Sequence, residues 1–127
     1  MSNLLVLALL FAPTPVQGDD FHQRMLQGRL AEADHAGPGY QRQLWSAIGT
    51  PMTDTLKGCI ASNAPADKSP FTLVADVQSD GTPARIEVQP QTPLATCLAG
   101  QFATWKLPPP PAAPRPYPIE IDVSITP

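Results

Sequence analysis

Residues 71–92 read FTLVADVQSDGTPARIEVQPQT. Phe71, Leu73, Ala75 and Val77 fall on one side of an extended chain, and Thr72, Asp76 and Gln78 fall on the other. Alternation with a period of two marks a half-buried strand. Val74 is the one apolar residue on the polar side. Ser79 to Pro83 then form a turn, in which Gly81 supplies a positive φ. Ala84, Ile86 and Val88 alternate with Arg85, Glu87 and Gln89 in a return strand. The pattern predicts an antiparallel β-hairpin with one apolar face.

Downstream of the hairpin, Thr92-Pro93 places a capping side chain before a proline at the first helical position. Leu94, Cys97, Leu98, Gln101, Phe102 and Trp105 lie along one side of the helix this starts. Residues 107–118, LPPPPAAPRPYP, fit neither a helix nor a central strand. They read as an extended polyproline connection, a spacer between ordered elements rather than a ligand for a proline-binding groove. Ile119, Ile121, Val123 and Ile125 alternate with Glu120, Asp122, Ser124 and Thr126, the cleanest period-two pattern in the chain. The acids on its outward side would discourage edge-to-edge aggregation.

Upstream, Asp19 and Asp20 can cap a helix from about Phe21 to His35. Its apolar stripe of Phe21, Met25, Leu26, Leu30 and Ala33 is broken, Gly28 weakens it, and residues 36–39 (AGPG) end it. Such a helix reads as a peripheral arm or a docking element. A second helical stretch begins near Tyr40, with Leu44, Ala47 and Ile48 at helical spacing. Gly49 interrupts it, Thr50-Pro51 restarts it, and Met52, Leu56, Cys59 and Ile60 share a face of the second part. Residues 63–70 form a polar loop. The elements predict an α+β fold: a small three-stranded antiparallel sheet covered on one face by two helices, plus an N-terminal helix. The other sheet face, with Asp76, Glu87, Glu120 and Asp122, is expected to meet solvent.

The chain has 127 residues, enough for one domain, with a formal net charge of −3 and 15% charged residues. Its eight Lys and Arg are scattered singly, and nucleic-acid binding calls for clustered cations, so that class is set aside. Leu4 to Ala12 is an unbroken apolar run, shorter than the roughly 20 residues a membrane span requires. Pro13 and Pro15 follow it, then Val16, Gln17 and Gly18. The pattern is that of a signal peptide covering residues 1–18 and cleaved before Asp19, which implies export without a stable membrane anchor. The remainder divides into a helical arm at 19–37 and a domain at 38–127. Two cysteines, Cys59 and Cys97, suit an oxidising compartment and a disulfide between the two helices. Two buried free thiols are the other way to place them.

The order of elements resembles the C-terminal domain of TonB-type energy transducers and the related AgmX/PglI type. The residues that carry the resemblance are FTLVADVQSDGTPARIEVQPQT, CLAGQFATWKLPPP at 97–110 and PIEIDVSI at 118–125. The family's strand ends in an Asp-Gly turn, as at Asp80-Gly81. Its helix ends in Trp, one residue, an apolar residue and Pro, as at Trp105 to Pro108. Paired cysteines, one in each helix, occur in the AgmX/PglI type and match Cys59 and Cys97. The resemblance spans about Tyr40 to Thr126 and does not extend to the family's membrane anchor or long proline-rich spacer. It implies a periplasmic module that binds a protein or peptide of the bacterial envelope by strand addition, and not a force transducer. The docking edge would be Tyr117, Ile119, Glu120, Ile121, Asp122 and Val123, and the same edge would let two copies exchange strands into a homodimer. Trp105 would anchor its helix on the sheet.

No catalytic constellation is legible. His22 and His35 are thirteen residues apart in the first helix, and solvation is their default state. A Cys–His nucleophile competes with the disulfide. There is no G-x-S-x-G, H-E-x-x-H or P-loop pattern. No enzyme activity, metal or cofactor is therefore expected. The alternative to the interaction module is a small secreted inhibitor or immunity protein that blocks an effector or cell-wall hydrolase through a loop such as 63–70.

Overall fold

A computed structural model describes residues 17–126. Residues 1–16 of the expected signal peptide 1–18 lie outside the described residues, and its last two, Gln17 and Gly18, open the first helix. The elements run α1 (Gln17–Ala33), α2 (Gly37–Ser62), β1 (Phe71–Val77), β2 (Pro83–Gln89), α3 (Pro93–Phe102) and β3 (Tyr117–Val123). The strands form one antiparallel sheet in the order β2-β1-β3. Among the described residues no helix is long and apolar enough to cross a membrane.

The inner face of the sheet follows the alternation. Phe71, Leu73, Ala75, Val77, Val88, Tyr117, Ile119, Ile121 and Val123 share one buried cluster with Leu44, Ile48 and Met52 of α2 and with Leu94, Leu98 and Phe102 of α3. The Thr92 hydroxyl accepts a hydrogen bond from the Ala95 N–H at 3.1 Å, so the expected cap and Pro93 start α3 as read. Trp105 lies just beyond α3 and packs on Phe102, ring centroids 5.3 Å apart. A disulfide joins Cys59 and Cys97, Cα atoms 5.9 Å apart, and ties α2 to α3 over the sheet.

Gly81 sits in the hairpin turn with φ +91°, and its carbonyl accepts the Leu107 N–H at 2.9 Å. A Cβ there would fall 1.9 Å from the Leu107 oxygen, so the turn and the start of the proline segment touch only because residue 81 is glycine.

Three expectations are corrected. First, α2 is continuous from Gly37 to Ser62, with Pro51 inside it. Tyr40, Leu44, Ile48 and Met52 recur every fourth residue across the Gly-Thr-Pro break and are all buried, while Pro51 faces solvent. Packing of that stripe outweighs the hydrogen bond proline removes. Second, β2 carries a bulge: Val74 pairs with Glu87 and Asp76 with Ala84, so two residues of β2, Arg85 and Ile86, stand opposite Ala75 alone. The extra residue shifts the phase, and Ala84 stands beside Asp76 on the outer face instead of facing the core. Third, the outer face is not open to solvent. Helix α1 lies on it and buries Asp76 and Glu120, leaving Glu87 partly and Asp122 largely exposed. The sheet is thus a middle layer, with α1 on one side and α2 and α3 on the other.

The buried face of α1 also differs from the predicted stripe. Phe21, Arg24, Gly28 and Ala31 are buried, whereas Leu26 and Leu30 are exposed. A helix resting on an acidic sheet face is held by cations and close approach as much as by apolar contact. Arg29 lies 3.6 Å from Glu120, and a Cβ on Gly28 would meet the Glu120 Cβ at 2.7 Å.

Candidate partner-binding groove

The β2 bulge is centred on Arg85, which holds φ +50°, a left-handed conformation rare for a residue with a side chain. Such an outlier persists only when its surroundings fix it. Two contacts do so here. The Arg24 Nη2 donates to the Arg85 carbonyl at 2.7 Å, and the Arg85 Nη1 donates to Asp76 Oδ2 at 3.1 Å. Arg24 itself is only 6% exposed, with Nη2 3.6 Å from Asp76 Oδ1 and Nη1 3.5 Å from Glu87 Oε1. Asp76 therefore sits between two guanidinium groups at the end of β1. The buried Arg24 Nη1 makes no hydrogen bond.

Beside this set an open groove of about 950 Å³ runs between the C-terminal half of α1 and the proline segment before β3. Gln27, Leu30, Ala31 and Ala33 form the helical wall, and residues 113–116 with Pro118 form the facing one. Arg24, Asp76 and Arg85 close its base. Leu30 is 71% exposed and stands on the groove wall. On the opposite wall the Arg115 Nε donates to the Ala112 carbonyl at 2.8 Å, and its Nη1 donates to the Ser79 hydroxyl. Among the described residues Arg115 has no carboxylate partner.

The proline segment is fixed from below. The Tyr40 hydroxyl donates to the Pro108 carbonyl at 2.8 Å, and the Tyr40 ring meets Tyr117 edge-on at 5.1 Å. Burial, with Tyr117 alongside, pushes the Tyr40 phenol up to about 12, so it stays a donor. The Tyr117 hydroxyl is buried and makes no hydrogen bond.

The expected docking strand, β3, stands at the edge of the sheet. Tyr117, Ile119, Glu120, Ile121 and Val123 are buried, and Asp122 alone of the named edge residues is exposed. Helix α1 packs on the outer face of β3: a Cβ on Gly28 would lie 3.0 Å from the Glu120 nitrogen. Beneath α1, burial and the neighbouring Asp122 push the Glu120 carboxyl up to about 7. Asp122, hydrogen-bonded by Glu120 and by the Thr72 hydroxyl at 2.8 Å, is held below the usual carboxylate range. His22 and His35 are both exposed, His22 on α1 and His35 in the turn that follows it. Among the described residues no three His, Cys, Asp or Glu side chains come close enough together to hold a metal ion.

The sequence reading missed the groove. Its basic residues come from a helix, a bulged strand and a loop, far apart in the chain. Val74, apolar on the polar side of β1 and buried, was the one local sign that a second layer covers that face. No family model matches this chain, and no curated protein or solved structure matches it either.

Proposed function

We propose that this protein is a non-enzymatic interaction module of the bacterial envelope, exported to the periplasm, with a domain resembling the TonB C-terminal type. It holds an extended segment of a protein partner in the groove beside the start of β3. The observation that carries this reading is the open groove of about 950 Å³, with an exposed leucine on one wall and prolines on the other. A groove with an apolar wall and a few fixed polar groups is the usual form of a peptide site. The Cys59–Cys97 disulfide supports an oxidising compartment.

The test is selection of a randomised peptide library on the purified chain, repeated with Leu30→Asp and with Lys57→Glu, an exposed change on α2. Peptides enriched on the wild type are expected to be lost on Leu30→Asp and kept on Lys57→Glu. Absence of enrichment, or enrichment indifferent to Leu30, would sink the peptide-binding reading.

A further inference from the structure

We infer that the segment the groove accepts is acidic: an extended peptide with at least one carboxylate placed to meet Arg115 and Arg85, beside an apolar side chain that rests on Leu30. This deepens the interaction-module reading and rests on it. Three arginines border the groove against two aspartates, Asp34 and Asp76. Asp76 is already engaged by Arg24 and Arg85, and Asp34 accepts the backbone N–H of His35 at 2.8 Å. Arg115 borders the groove without a carboxylate partner among the described residues, and hydrogen bonds to the Ala112 carbonyl and the Ser79 hydroxyl hold its side chain in place.

Positional fixing matters because a guanidinium held by other contacts loses little freedom when it forks onto a carboxylate. Arg85 is fixed too, by its bulge and by Asp76, and its side chain remains 60% exposed, so Asp76 does not use up its donors. The two cations sit on the strand side and the loop side of one groove, and the apolar wall lies on the helix side. A basic segment would meet Arg115, which has no carboxylate partner among the described residues, and the exposed guanidinium of Arg85. A neutral one would leave Arg115 unanswered.

Fluorescence anisotropy with three synthetic peptides tests this. All share the apolar residues of one sequence enriched on the wild-type groove and carry Asp, Asn or Lys at its polar positions. The Asp peptide is expected to bind about tenfold more tightly than the Asn peptide and to weaken several-fold as salt is raised, with the Lys peptide weakest. Arg115→Glu, an exposed loop change, is expected to cut affinity for the Asp peptide about tenfold and to narrow its lead over the Asn peptide. Equal affinities for the Asp and Asn peptides, both lost on Leu30→Asp, would overturn the acidic specificity while leaving the groove as a peptide site. Failure to enrich any Leu30-dependent peptide overturns the module reading and this inference with it.

Discussion

Glu120 shows what one buried carboxyl does to the stability of this fold. Its side chain lies under α1 with a single cation, Arg29, at 3.6 Å and Asp122 as neighbour. Burial raises its folded value to about 7 from an ordinary 4.5. An acid raised on folding keeps its proton in the native state while the unfolded chain has already lost it. Below about 4.5 the group is neutral in both states and carries no penalty; between about 4.5 and 7 the unfolded state gains, and stability falls as pH rises. Glu120→Gln is expected to flatten that part of the stability–pH profile and to raise the melting temperature above pH 7 relative to wild type. Thermal melts across the range check it, and an unchanged slope would show that Glu120 is not the group responsible. At the same scale, Arg85 explains a misread alternation. A non-glycine residue at φ +50° gives no local signal of a bulge, because what holds it there is Arg24, 61 positions away in sequence.

Among the elements, α1 is the one whose role depends most on contacts from other parts of the chain. Glycine inside a helix costs about 1 kcal/mol against alanine, yet Gly28 is where the helix comes down on β3. Gly28→Ala is expected to destabilise the protein by about 1–3 kcal/mol despite the better helix former, because the new Cβ meets strand backbone. Hydrogen exchange should show protection lost in α1 and β3 and kept in α2 and α3. A variant as stable as wild type with α1 still protected would refute the close packing. The hairpin, the Thr92 cap and β3 were legible in the sequence because each is written in local chemistry: alternation, a turn glycine, a cap before proline. The docking of α1 was not, since its contact face pairs Arg24 and Gly28 with acids and carries few of the apolar residues that periodicity reads. The continuity of α2 through Pro51 was legible in the fourfold spacing of Tyr40, Leu44, Ile48 and Met52, but local break signals outranked it. The candidate groove lay beyond any local pattern, because three separate elements assemble it.

For the whole molecule, two layers of helix on a three-stranded sheet give a small core, and the covalent tie is a substantial part of what holds it. Cys59 and Cys97 are 38 residues apart, and closing a loop of that size restricts the unfolded chain by about 4 kcal/mol in the chain-entropy model. Replacing both by alanine is expected to lower the free energy of unfolding by about that amount, read from urea denaturation with reduced wild type as a parallel. A loss within error of zero would mean that the packing of α2 on α3 alone sets their separation. The same bond divides the chain topologically. The covalent ring it closes contains the whole β1–β2 hairpin, while α1 and β3, which pack on each other, hang from it as two open tails. Cleavage anywhere between Phe102 and Tyr117 would leave β3 held by non-covalent contact alone. A β3 segment supplied in trans would then find β1 already locked in a closed template, which makes this fold a natural candidate for reassembly from fragments.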